Sequence, residues 1–294
     1  MEQLQRIGVF LNGSPADEAV LSHAGRIAQL AESRQVRVVF FGEEGGEDEP
    51  PPPQEAEFAK RVLASLPAEM ASRTTCTVHG ETGLDEVLAI AKNEDLDLAV
   101  VGRRLPHSQQ AIGSGFMKLA RKAPCNVLVV PEQSRPHFSR ILVPVDFGKH
   151  ARMALETAIA LAHAAVTGKP EVICQHVYSV GYGHRSTGLS PEEAAGAMEA
   201  KAREAYQAFT EDLDTMGVPV EPVLTLSDKI EEVIGDLAVA RKMDLVLIGS
   251  RGSGISPATL MGATVERILV FSALPVMVVK VKGETSRFLD VLLD

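Results

Sequence analysis

The chain has 294 residues, 45% hydrophobic and 23% charged, enough for two domains of ordinary size that each bury a core. A net charge of −10 with no dense run of Lys and Arg excludes the electrostatic footprint of a nucleic-acid binder. Three separated cysteines, Cys76, Cys125 and Cys174, read as buried thiols in a reducing cytoplasm, and nothing in the sequence reads as a signal peptide or membrane span.

Arg6 to Asn12 reads as a first strand, and Ser14 then caps a helix with Pro15 at its first position and apolar residues at Ala19, Val20, Ile27, Ala28 and Leu30. Val36 to Phe41 is a second strand. Residues 43–53, acidic and proline-rich, have nothing to bury and read as a surface loop. A helix from about Gln54 to Met70, a strand near Thr75–Val78 and a helix from Leu84 to Asn93 follow. Asp97 to Gly102 is a buried strand, and Ala123 to Val130 supplies the last.

Residues 131–136 read as a linker, after which the pattern begins again. Arg140 to Asp146 repeats Arg6 to Asn12, Met243 to Gly249 repeats Leu96 to Gly102, and Ala273 to Val279 repeats Pro124 to Val130. The second copy is longer, mainly around Tyr178 to Ser190 and in the helix after it. That helix opens with Ser190, Pro191 and Glu193, a capping box, carries a stripe through Ala194, Met198, Ala205 and Phe209, and is stopped by Gly217 and Pro219. The expected architecture is α/β, with two tandem open parallel-sheet units over residues 1–133 and 139–281 and a tail at 282–294.

One stretch points to chemistry. The apolar strand Leu245 to Ile248 empties into Gly249, Gly252 and Gly254, and Gly262 then opens an amphipathic run through Val265, Ile268 and Leu269. Strand, glycine loop and helix start together let backbone N–H groups surround a phosphate, although such loops are weak signals alone.

The second copy resembles the universal stress protein family from Ser139 to Val281. The resemblance rests on Ile141 to Phe147, Gln175-His176-Val177, Met243 to Gly249, the pattern Gly249-x2-Gly252-x9-Gly262, Thr264 to Leu269 and Pro275 to Val279. The first copy matches more loosely, through Asp97 to Gly102, Gly113-Ser114 and Pro124 to Val130. The resemblance implies the adenine nucleotide alpha hydrolase-like fold of that family and a site for ATP or another adenine nucleotide in the second unit. Pro144, Val145 and Asp146 would line the nucleoside and Val177 would touch the adenine. Ile248, Gly249, Arg251 and Gly252 would approach the phosphates from one side and Gly262, Ala263, Thr264 and Val265 from the other. The family pattern expects Ser or Thr where this chain has Ala263, which removes a hydroxyl donor to phosphate. The first unit departs further, with Asn12 in place of the acid, Leu105 in place of the second loop glycine, and a loop two residues shorter from Gly102 to Gly113. There Arg103 and Arg104 could attract an anion.

No phosphate-loop lysine follows Gly254, since Ile255 and Ser256 stand in its place, so binding with at most slow ATP hydrolysis is expected. Asp146 is a candidate to hold Mg²⁺ against the phosphates, with a ribose or adenine hydrogen bond as its other role. Cys174 and His176 share a strand face near His184, and His79 and His107 sit at the corresponding edge of the first unit; too few ligands gather for a zinc site. The insert from Gly181 to Gly188 reads as a solvated loop or a lid, and Phe288 to Leu293 as an apolar tail that docks on the body or on another protomer. In the family the closing strands pair across a two-fold interface. Here Val127–Val130 and Val276–Val279 could pair within one chain, and a further homodimer is compatible with that. The sequence therefore predicts a cytoplasmic stress-response protein that acts by nucleotide binding or signalling with an unidentified protein partner. The alternative is a non-nucleotide member acting as a dimeric interaction scaffold.

Overall fold

The computed structural model describes residues 4–41, 54–66, 68–80, 84–103, 115–165, 169–180, 190–253 and 260–282. The first unit runs β1 (Arg6–Leu11), α1 (Asp17–Leu30), β2 (Gln35–Phe41), α2 (Glu55–Ser65), α3 (Ala68–Ala71), β3 (Thr74–His79), α4 (Leu84–Asn93), β4 (Leu98–Arg103), α5 (Gly115–Lys122) and β5 (Asn126–Pro131). The second runs β6 (Arg140–Pro144), α6 (Lys149–Ala164), β7 (Glu171–Tyr178), α7 (Pro191–Thr210), β8 (Val220–Leu226), α8 (Ile230–Ala240), β9 (Leu245–Gly249), α9 (Ala263–Phe271) and β10 (Val276–Val279).

These ten strands form one sheet in the order β3-β2-β1-β4-β5-β10-β9-β6-β7-β8. Pairing within each unit is parallel, whereas β5 and β10 meet antiparallel with Leu128 opposite Met277. The closing strands thus pair inside one chain. Continuous apolar strands fit a sheet covered on both faces. One core joins α1, α2, α6 and the strands, through residues such as Val20, Phe58 and Leu155. The other joins α4, α5, α8 and α9, through Ala91, Met117, Ile234 and Leu269. Each core runs across both units.

The repeat extends to single residues. Asp97 Oδ2 accepts from the Gln5 and Arg6 N–H groups at 3.0 and 2.8 Å, and Asp244 Oδ2 accepts from the Arg140 N–H at 2.9 Å. In both units, then, a carboxylate at the foot of one strand holds the start of its neighbour.

Three helix boundaries differ from the sequence expectation. Ser14 does not cap α1, which begins at Asp17 after a turn in which the Asp17 N–H donates to the Ser14 carbonyl at 3.0 Å. The Asp17 side chain accepts from Gly13 N–H at 2.8 Å and Ser14 Oγ–H at 3.2 Å, so the acid organises the turn that Ser14 was expected to organise. The helix expected from Gln54 to Met70 is two helices, α2 and α3, with Pro67 between them in sequence, where proline cannot continue an α-helical ladder. The helix opened by Ser190 ends at Thr210, well before Gly217. Arg152 of α6 donates to the Phe209 carbonyl at 2.6 Å and to Asp212 at 2.8 Å, satisfying that end from outside the helix. Its start is as expected, with Glu193 N–H donating to Ser190 Oγ and Ser190 N–H to Glu193 Oε2.

Candidate functional site

In the second unit the chain builds outward from β6 through β7 to β8, then returns to the other side of β6 for β9 and β10. The crevice beyond the carboxyl ends of β6 and β9 is therefore the topological switch point where open α/β sheets receive ligands. The β6–β9 ladder carries the pairs Ile141 with Leu245 and Leu142 with Val246 and goes no further, since Pro144 brings no N–H to it. In the first unit the corresponding β1–β4 ladder continues up to Phe10 with Val101. The hydrogen-bonded ladder thus ends sooner in the second unit, just before the residues that line the cleft.

This cleft has a cavity volume of about 170 Å³ and opens to solvent. The structure brings together at it Pro144, Val145 and Asp146 after β6, Val177 of β7, Ile248, Gly249, Arg251 and Gly252 at the end of β9, and Gly262, Ala263, Thr264 and Val265 at the start of α9. All twelve residues that the resemblance assigned to the nucleotide site line this cleft. Ala151, Gln175, His176, Ile230 and Ile234 also line it and were missed. Two signals could have found three of them: Gln175 lies two residues before Val177 on one strand face, and Ile230 and Ile234 are i, i+4 neighbours on α8.

The cleft has an apolar side and a donor-rich side. Val145, Val177, Ile230 and Ile234 offer a slot for a flat apolar group. Opposite, α9 starts without a side-chain cap at Gly262, and the first bond of its ladder runs from Glu266 N–H to the Gly262 carbonyl at 3.2 Å. The N–H groups of Ala263, Thr264 and Val265 precede that bond, at the positive end of the helix dipole and beside Arg251. Donors so grouped suit an anion such as phosphate.

The loop after β9 is held by Asp146. Its Oδ2 accepts from Ser253 N–H and its Oδ1 from Gly148 N–H at 3.0 Å, while Ser253 Oγ–H donates to the Asp146 carbonyl at 3.1 Å. The carboxylate lines the cleft and also fixes the glycine loop. Phe147, next in the chain, adopts a left-handed φ of 63°, uncommon for an aromatic residue. Its ring lies 4.3 Å from that of His176 and 5.5 Å from that of Phe209. His176 Nδ1 is 2.8 Å from the Val145 carbonyl oxygen.

Gly249 has a packing duty in addition to lining the cleft. A Cβ there would lie 2.6 Å from the carbonyl carbon of His150 and 2.8 Å from the Ala151 nitrogen, so glycine lets the start of α6 rest on the end of β9. Gly102 has the same duty in the first unit, where a Cβ would lie 2.8 Å from Ala16 Cβ. His150, whose Nδ1 is 3.1 Å from Ser250 Oγ, is pushed down to about 4 by burial, with Arg251 and Lys149 adding to the effect and Asp146 opposing it.

The first unit uses its corresponding residues differently. Arg103 is not presented to an anion: its guanidinium is buried and donates to the Val270 carbonyl at 2.6 Å and to the Ser272 carbonyl, both at the end of α9. Asn12 is exposed. Leu105, Gly113 and Ser114, like the Gly181–Gly188 insert and the 288–293 tail, lie outside the described residues. Among the described residues no group of three or more His, Cys, Asp or Glu side chains is placed to hold a metal ion, and no helix is long and apolar enough to cross a membrane.

Comparison with known proteins agrees with the two-unit architecture. The sequence model of the universal stress protein family matches residues 3–131 and again residues 137–280. A universal stress protein of Thermus aquaticus is 27% identical over 143 residues, covering 49% of this chain and 99% of the relative. Universal stress protein A of Yersinia pestis is 30% identical over 112 residues, covering 38% of this chain and 73% of the relative. A solved Pseudomonas aeruginosa structure is similar over 99% of this chain and 98% of its own, at 18% identity and a TM-score of 0.67, a likeness of fold.

Proposed function

Since the chain belongs to the universal stress protein family, matching it once in each half, we propose that its second unit binds ATP or another adenine nucleotide and acts by binding, with little or no turnover. The observation that carries this reading is the two-sided cleft at the switch point, an apolar slot facing the uncapped N-terminus of α9 and Arg251. The residues fit the group: Val145 and Val177 would flank the adenine, while Arg251 and the N–H groups of Ala263, Thr264 and Val265 would hold the phosphates. Asp146, already accepting from two backbone N–H groups, would hold the loop in place and keep lone pairs for a ribose hydroxyl or Mg²⁺. No lysine stands among the lining residues to offset charge on a phosphoryl group in transfer, and turnover is not part of the reading.

The test is calorimetric titration of ATP onto nucleotide-free protein, with mass spectrometry of small molecules released on denaturation. Saturable binding near one ATP per chain is expected, abolished by Gly252→Leu. Two per chain would restore the first unit as a site, and none would remove the reading. The second reading, a scaffold that binds a protein partner, is favoured by Ala263 and by Phe271 and Val239, each 72% exposed on α9 and α8. It predicts a folded chain with no nucleotide affinity.

A further inference from the structure

Resting on the nucleotide reading, we propose that Gln175 is a specificity-determining residue: its Oε1 accepts a hydrogen bond from the exocyclic amine of the bound base and selects adenine over purines that lack a 6-amino group. Gln175 is 1% exposed on β7 and lines the cleft two residues before Val177. Its Nε2 donates to Thr225 Oγ1 and to the Val233 carbonyl, each at 3.3 Å. A carbonyl only accepts, so the bond to Val233 fixes which end of the amide is nitrogen. The oxygen is thereby left over. Oε1 is buried and has no hydrogen-bond partner among the described residues.

A buried acceptor without a donor is costly, and such groups are rare in folded proteins. Gln175 itself lines a cleft whose neighbouring side chains, Val145, Val177 and Ile234, bring no donor of their own. The cleft is also polarised. Its donors, Arg251 and the start of α9, stand at the β9 side, whereas Gln175 stands on β7, with β6 between. Two strand spacings are roughly 10 Å, in keeping with a nucleoside extended from a base at β7 to phosphates at α9. A base that places an N–H at Gln175 satisfies the oxygen; one that places a carbonyl there sets acceptor against acceptor. An amine-bearing base gains on both counts, and adenine carries its amine where hypoxanthine carries an oxygen.

The experiment is calorimetric titration of the full chain with ATP, with purine riboside triphosphate, which has hydrogen at position 6, and with inosine triphosphate. On the wild-type protein ATP should bind about tenfold tighter than the 6-hydrogen analogue, or better, and inosine triphosphate more weakly still. Gln175→Leu should abolish the preference for ATP over the analogue; Gln175→Met serves if the first variant folds poorly. Equal wild-type affinities for ATP and the analogue would overturn the role of Gln175 while leaving nucleotide binding intact, as would discrimination that survives in Gln175→Leu. Failure of all three nucleotides to bind would overturn both readings together.

Discussion

Ala263 stands at the first position of α9, exposed at the mouth of the cleft, where the family pattern expects a hydroxyl. Ala263→Ser should tighten ATP binding on the order of tenfold, because a hydrogen bond to a charged group contributes roughly 1.5–3 kcal/mol; calorimetry reads the change, and an unchanged affinity would move the phosphates away from α9. His23 gives a second prediction at this scale. It is fully buried beside Phe138, with Nδ1 2.7 Å from the Ala19 carbonyl oxygen, and burial pushes it down to about 4. The unfolded chain takes up a proton near pH 6.5 that the native state refuses until about pH 4, so stability falls as pH drops through that window. His23 alone should lower stability by about 2 kcal/mol between pH 7.5 and pH 5, and urea titrations at the two values measure it. His23→Leu should flatten the pH dependence by that amount, leaving the same-direction contribution of His150. Residue identity was readable at these positions in advance, but the extent of burial was not. His23 falls on the apolar stripe of α1 with Ala19, Val20 and Ile27, which its spacing marks as inward, but its complete enclosure beside Phe138 is set by tertiary packing.

At the scale of elements, local chemistry decided helix starts where a complete signal was written in consecutive residues. Ser190, Pro191 and Glu193 form such a signal, and both capping hydrogen bonds are present. Ser190→Ala should cost about 1 kcal/mol, measured as a lower urea midpoint with faster amide exchange in the first turn of α7; unchanged exchange there would mean the cap contributes nothing to the helix. Ser14 and Pro15 offered a shorter version of the same signal, and Asp17 displaced it, because a carboxylate accepts from Gly13 N–H and Ser14 Oγ–H together. The end of α7 was out of reach for a different reason. Arg152, which satisfies it, lies on another helix nearly sixty residues earlier in the chain.

At the scale of the molecule, the two units are fastened by more than the β5–β10 ladder. Arg103 of the first unit donates to carbonyls at the end of α9, and Lys280 of the second donates to the Arg121 and Ala123 carbonyls at the end of α5, at 3.2 and 2.6 Å. Arg121 and Glu266 add an ion pair at 2.7 Å between the same two helices. Positive charge at a helix C-terminus opposes the dipole favourably, and the last carbonyls need donors in any case. Arg103→Leu should therefore destabilise the fold by about 1–3 kcal/mol, with hydrogen exchange rising in α9 and β10 and not in α1. Uniform loss of protection across both units would mean that Arg103 does not act at this junction. The sheet then ends at β3 and β8, and Pro222 and Glu221 blunt the β8 edge.

The sequence by itself determined the tandem α/β repeat and the parallel pairing within each unit, and its resemblance to the family named twelve of the residues that meet at the cleft. The repeat and the parallel pairing follow from local periodicity, and the glycine pattern marks where strand gives way to helix. Only the tertiary structure decided that Arg103 serves the interface and not an anion, that Asp146 holds the loop after β9, and that the Gln175 side-chain oxygen is buried without a partner among the described residues. Each of these depends on partners distant in sequence. Hydrogen-bond geometry and burial are set by the packing of the whole sheet, and composition and spacing carry no record of them.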